Sequence, residues 1–440
     1  MSNTMSLEHQ TNTKHVVRRP QRRPLRRLAV SLLMLLALLT MIISGLPILL
    51  LYVITAVPII LAGILTLFDL GLIVALFYFD RTPLLVTSNI IAWVFVAVLA
   101  VVLSQYFAAT PPITDANGQP VPGSIATLET VELNGSQQWL TIRGEDTDNP
   151  ILLFLAGGPG GSELVMTRKY LGELEAHFTI VNWDQPGTGK SYNAVPFDEL
   201  TLERYVDDAY ALSLYLRERF GQEKIYVFGE SWGSILGVLL VQQHPDLFYA
   251  LITTGQMVDP IENDQIGYEM ALDLLTEQGR IEDANGLRQV GPPPYAPEEL
   301  LSKFNGTNVV LNNYMEAHAH GEGTHHNLLF DSLRAPEYGL VDKVTWVLGL
   351  ANTFTTVYPQ LYDLDLRAMD PRLDVPVYMI NGRWDVNAVN SLAEEYFNYI
   401  EAPHKEWIVF EESAHTPSWD DPAHFVDVMV NTVLSQTWPE

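Results

Sequence analysis

The chain has 440 residues, more than one hydrophobic core usually supports, so two or more structural units are expected. At 48% hydrophobic and 18% charged it is too apolar for a disordered chain, and the absence of cysteine excludes a disulfide scaffold, a thiolate metal site and a cysteine nucleophile. The formal net charge is −27, and residues 109–440, with 49 acidic and 17 basic side chains, stand at −32; so acidic a body argues against nucleic acid as a partner.

Residues 1–27 are the exception, a basic tail with seven Lys/Arg and one Glu. Residues 28–68 contain no charged side chain, apolar sequence resumes after Asp69 to Phe79, and a third run extends from Leu84 to Phe107. A bilayer core of about 30 Å needs about 20 apolar residues of helix, so residues 28–108 are expected to cross a lipid bilayer three times, with a turn near Pro47 to Pro58. The first run is much longer than the hydrophobic region of a cleavable signal peptide. Arg18, Arg19, Arg22, Arg23, Arg26 and Arg27 precede the first span, which keeps the tail cytoplasmic under the positive-inside rule. Three crossings then place residue 109 onward outside the cytoplasm. Asp69 is read as an interfacial carboxylate near one end of the second span, and Asp80-Arg81 is too weak a pair to affect orientation. Residues 109–127, rich in Pro, Gly and small side chains, read as a linker.

Beyond the linker the pattern becomes that of an α/β protein. VELNG and QQWLTIRG suit a hairpin turning at Asn134-Gly135. Ile151–Ala156, Phe178–Trp183, Ile225–Gly229 and Tyr249–Gly255 are short apolar runs of the kind buried on both faces of a parallel sheet. Val375–Gly382 and Glu406–Phe410 add two late strands. Helical patterns lie at Leu202–Phe220, Ser234–Gln243 and about Ala423–Leu434. The expectation is a doubly wound, mostly parallel sheet, with core parts at 128–256 and 371–440. Residues 257–370 break the alternation and read as a helical lid inserted over the strands' C-terminal edge, where ligands bind in open α/β sheets.

GESWG, Gly229–Gly233, lies directly after a strand and directly before a helix, the context of a nucleophile elbow that pushes Ser231 out over the sheet. A serine hydroxyl needs a base oriented by an acid, expected in the chain order Ser, Asp/Glu, His. Asp385, in NGRWD, and His415, in ESAHTP, both follow late strands and are the candidates. For the oxyanion, one N–H is expected from Trp232 and another from the AGGPGG loop, with Gly158 favoured and Gly157 second.

AGGPGGS, WDQPGTGKS, GESWGS, NGRWD and ESAHTP together resemble the prolyl iminopeptidase-type α/β hydrolases, the serine aminopeptidase family, over about residues 128–437. The chain departs from that pattern at Ala156, where the family has His, and at Pro186, where it has Arg. The resemblance implies release of an N-terminal residue from a short peptide with a free N-terminus, whose amine would be held by acidic side chains: Glu262 and Glu269 in the lid, or Glu230 beside the nucleophile. It implies no cofactor. An esterase or lipase is the alternative activity, and a catalytically inactive binding protein the third reading.

Two further signals are set aside. GTGKS, Gly187–Ser191, has Asp184 where a phosphate loop requires glycine. The group His318, His320, Glu322, His325 and His326 is explained by a polar lid loop, and no metal site is assigned to it.

Overall fold

The computed structural model describes residues 23–321 and 326–439, with side chains from residue 28. Two compact units are distinguished, one holding most of the first three helices and the other residues 50–59 and 101 onward.

Three helices open the described residues, α1 (Arg23–Ile54), α2 (Ile59–Tyr78) and α3 (Pro83–Tyr106). Each is long and apolar enough to cross a membrane. Ala37, Leu76, Val86 and Trp93 pack together as a small buried cluster, while Leu35, Ile42, Ile60, Leu67 and Phe95 are exposed. Two details differ from the sequence expectation. Helix α1 runs through Pro47, and the chain breaks only at residues 55–58. Asp69 stands in the middle of α2, because the helix begins ten residues before it at Ile59. The arginines of the basic tail lie outside the described side chains.

Residues 109–123 belong to the second unit and are hydrogen-bonded to its more distant parts. Ala109 N donates to Pro336 O, Thr110 Oγ1 donates to Glu337 Oε1, and Arg143 Nη1 donates to Thr110 Oγ1 and Pro111 O. Arg143 is itself fixed by a buried ion pair to Glu175 at 2.6 Å. Proline and glycine content signalled irregular backbone here, and the side-chain anchors lie far off in sequence.

The second unit is built on eight strands: β1 (Ile125–Leu133), β2 (Ser136–Gly144), β3 (Ile151–Leu155), β4 (Thr179–Asp184), β5 (Ile225–Glu230), β6 (Phe248–Thr254), β7 (Val377–Gly382) and β8 (Lys405–Phe410). Their order is β1-β2-β4-β3-β5-β6-β7-β8, with β1, β2 and β4 paired antiparallel and all later pairs parallel. The hairpin turns at Asn134-Gly135, both at positive φ. Strand β3 shows why these runs are continuously apolar: Ile151, Leu153 and Leu155 enter the core on one face, and Leu152 and Phe154 the core on the other.

Helices cover both faces. Between strands lie α4 (Leu164–Tyr170), α5 (Leu202–Phe220) and α6 (Trp232–Gln243). Helix α5 starts at Thr201, whose side chain accepts from Arg204 N, and stops at Gly221 in the left-handed region. Among the described residues five α-helices separate β6 from β7: α7 (Pro260–Glu277), α8 (Ile281–Val290), α9 (Pro297–His318), α10 (Leu328–Arg334) and α11 (Leu340–Val357). The chain closes with α12 (Asn390–Tyr399), α13 (Pro417–Asp420) and α14 (Pro422–Asp427), the last continued by a wider turn to Leu434.

Candidate active site

Strand β5 ends at Glu230 and α6 begins at Trp232, leaving one residue to reverse the chain. That residue is Ser231, at φ 54° and ψ −117°. A side chain rarely occupies this region, and holding it there costs about 1–3 kcal/mol. The turn closes only because its flanks are bare: a methyl group on Gly229 would strike Gly233 O, and one on Gly233 would strike Leu155 O. Ser231 N donates to Thr254 O on β6 at 2.9 Å, which fixes the elbow to the neighbouring strand.

Asp385 and His415 follow β7 and β8. The His415 Nδ1 lies 2.9 Å from Asp385 Oδ2 and 3.1 Å from Oδ1. The carboxylate is oriented in turn by Asn387 N and Ala388 N, each donating to Oδ1 at 2.9 Å. The imidazole packs on Gly255, where an added Cβ would come within 2.7 Å of His415 Cε1. Burial opposes a charge on the ring. Asp385, with smaller help from Glu230 and Asp420, outweighs that cost and raises the imidazole above its ordinary 6.5.

Ser231 and His415 line one cavity of about 310 Å³. Its sheet side includes Gly157, Gly158, Glu163, Glu230 and Trp232; its other side comes from the insertion, with Asn263, Asp264, Phe304, Leu350, Phe354 and Tyr358. The wall is mostly apolar, with carboxyl groups at a few fixed points.

The glycine loop after β3 is braced from below. Gly157 N donates to Glu163 Oε1 at 3.0 Å, so that N–H is engaged, which leaves Gly158 and Trp232 as the expected donors that still line the cavity. Gln185 bridges Ala156 O (3.3 Å) and the Trp232 indole N–H (3.0 Å). Asp184 accepts from Ser162 Oγ at 2.5 Å and from Tyr338 Oη of the insertion at 2.9 Å. Burial pushes the Asp184 carboxyl up to about 6, against those hydrogen bonds. The side chains around the divergent Ala156 thus supply a brace of their own.

The three carboxylates proposed from sequence for the substrate's amine part company. Glu230 lines the cavity and accepts from Ser418 Oγ at 2.9 Å and Trp419 Nε1 at 3.1 Å. Glu262 does not reach it; it pairs with Arg367 at 2.5 Å, in a network that includes Asp365 and Asp259. Glu269 lines a separate groove with Gln265, Met270 and Asp273. The cause is helix phase. In α7 the buried stripe is Asn263, Asp264, Gly267, Tyr268, Ala271, Leu272 and Leu275, which turns Glu262 and Glu269 away.

The same stripe carries inward the acid that sequence reading missed. Asp264 accepts from Tyr358 Oη at 2.9 Å, and burial raises its carboxyl to about 7. The apolar period of Tyr268, Ala271, Leu272 and Leu275 was the available signal. Glu163 was missed although it directly follows the glycine motif.

His318 Nδ1 lies 2.7 Å from Tyr314 O, and its ring lies 4.8 Å from that of Trp384, tilted by 32°. Glu322 and His325 lie outside the described residues. Among the described residues no group of three His, Asp or Glu has metal-holding geometry.

Residues 150–288 match the family described as the alpha/beta hydrolase fold. A probable aminopeptidase of Bacillus subtilis, YbaC, is 32% identical over 313 residues, 70% of this chain and 97% of the relative. The chain belongs to the α/β-hydrolase family. Its relatives include proline iminopeptidases, among them that of Lactobacillus delbrueckii subsp. lactis, 22% identical over 68% of this chain and 95% of the relative. Among solved structures, the proline iminopeptidase of Mycobacterium smegmatis superposes with a TM-score of 0.50 at 18% identity, covering 70% of this chain and 98% of its own. That likeness establishes the fold alone. The protein is a serine hydrolase with aminopeptidase-type relatives.

Proposed function

We propose that this hydrolase is a membrane-anchored serine aminopeptidase acting on short peptides with a free N-terminus. The reading rests chiefly on one arrangement: Ser231 and His415, the latter paired with Asp385 behind it, border a single cavity that also presents acidic groups. His415 takes the proton of Ser231 as the hydroxyl attacks the carbonyl of the first residue, and Asp385 holds the ring and balances its charge. The N–H groups of Trp232 and Gly158 receive the oxyanion. The proton passes from His415 to the leaving amine, and water then releases the acyl group from Ser231 by the same route in reverse. The carboxyl groups of the cavity select an ammonium terminus over an internal bond.

The apolar wall also suits an acyl ester, so esterase activity is the second reading. A panel of aminoacyl arylamides, each with free and acetylated amine, separates the two. The aminopeptidase reading expects the acetylated forms to be turned over at least about 100-fold more slowly. Equal rates for both forms would reject it.

For location, three apolar helices after a basic tail favour a multi-pass anchor in the cell membrane with the catalytic unit outside the cytoplasm. Protease added to intact cells is expected to digest the acidic unit, and full protection would put that unit inside.

A further inference from the structure

An aminopeptidase substrate carries its ammonium two bonds from the carbonyl carbon that the serine attacks. A carboxylate that holds this ammonium therefore lies within about 6 Å of the attacked carbon, given ordinary bond and hydrogen-bond lengths. The group that reads the amine must belong to the immediate surroundings of the elbow.

Two carboxyl groups stand there. Glu230 directly precedes Ser231, and Glu163 ends the glycine loop. A methyl group set on Gly157 would sit 3.1 Å from Glu163 Oε1 and 3.4 Å from Ser231 Cβ, so little more than a methyl group separates the carboxyl from the serine. Both glutamates line the cavity and both are buried, at 6% and 3% exposure. Glu163 Oε1 accepts Gly157 N–H, whereas Glu163 Oε2 is buried without a hydrogen-bond partner. Glu230 is held from behind by Ser418, Trp419 and, at 3.5 Å, Thr254, which leaves part of its acceptor capacity for the cavity.

We infer that Glu163 and Glu230 form a two-carboxyl seat for the α-ammonium of the substrate, with Glu163 Oε2 as its open acceptor, a proposal that rests on the aminopeptidase reading above. Burial, then the neighbouring Glu230 charge, raises Glu163 well above the usual carboxylate range, which favours its neutral form while the site is empty. A cation placed at Glu163 Oε2 reverses that balance, because two carboxylates beside one ammonium carry the net charge that one carboxylate and one carboxylic acid carry alone. The other titratable groups facing the pair are His415 and Asp420, with His326 beside Asp420. The seat belongs to the sheet side of the cavity, distinct from the insertion, whose own cavity acid, Asp264, already accepts from Tyr358.

The test uses the full-length protein in detergent, with leucine p-nitroanilide and p-nitrophenyl butyrate as substrates. Glutamine at 163 keeps the acceptor for Gly157 and removes the charge. In Glu163→Gln the ratio of arylamide to ester kcat/KM is expected to fall about 30-fold or more, the loss typical of a truncated buried charge pair. A ratio within threefold of wild type overturns the seat, as does a loss confined to Asp264→Asn. Calorimetry of leucinamide binding to the unmodified protein, in buffers of different ionisation enthalpy at pH 7, covers the case in which the variant does not fold. About one proton released per leucinamide supports the seat and none overturns it. If wild type cleaves the acetylated arylamide as fast as the free one, the aminopeptidase reading itself has failed, whatever Glu163→Gln does.

Discussion

The two sides of the cavity are constructed differently. On the sheet side Ser231, Asp385 and His415 stand on the C-terminal ends of β5, β7 and β8, held by short hydrogen bonds and by glycines that admit no side chain. On the insertion side Asn263, Asp264, Phe304, Leu350, Phe354 and Tyr358 project from three helices and the turn after them, and packing sets their positions. A sheet edge allows little choice of where a loop residue can point. A helix face can be turned by one residue's change of phase, so the insertion is where substrate preference can vary while the chemistry stays fixed.

Substitutions on the sheet side should therefore cost most. Ser231→Ala is expected to lower turnover of any substrate by about 10⁴-fold or more without changing the thermal melt appreciably; a loss below tenfold would place the nucleophile elsewhere. Asp385→Asn keeps the shape but not the charge that holds and balances His415, and kcat is expected to fall about 10³-fold or more. This substitution also carries the pH dependence. The neutral imidazole is the working base, so a ring whose protonated form is stabilised by Asp385 remains inactive to higher pH. The acidic limb of kcat/KM is expected to bend above 6.5 in wild type and at lower pH in Asp385→Asn. Gly255→Ala tests the support behind the ring. At φ 52° and with a Cβ 2.7 Å from His415 Cε1, alanine must displace the imidazole, and kcat is expected to fall about 10- to 100-fold.

The insertion should respond less. Asp264→Asn, still able to accept from Tyr358, is expected to change kcat/KM by less than about tenfold, and Glu269→Gln, which lies in another groove, by less than about twofold. A Glu269→Gln effect as large as that of Asp385→Asn would erase the distinction between the two sides.

The same distinction explains what could be read from the sequence. The strands, the elbow and the positions after β7 and β8 were legible because each is a local pattern: an apolar run, then glycine, then a polar residue that the sheet must aim at its own edge. Helix α5 was legible over Leu202–Phe220, and the structure shows what sets its ends, Thr201 and Gly221. Glu262 and Glu269 were misplaced because composition showed an acidic helix but not which of its faces turned inward. Glu163 escaped notice because its importance depends on Glu230, 67 positions away in the sequence and adjacent only after folding. The anchors of the linker escaped notice in the same way, since Arg143 lies 33 and Glu337 227 positions from the Thr110 they fasten.

The account depends most on Ser231 being the activated nucleophile. The direct measurement is labelling of the purified full-length protein with a fluorophosphonate, followed by mass spectrometry of the intact chain and of its peptides. One adduct per chain, carried by Ser231 and formed much more slowly in Asp385→Asn, is the expected result. An adduct on another residue, or an unmodified chain after prolonged exposure, would contradict it.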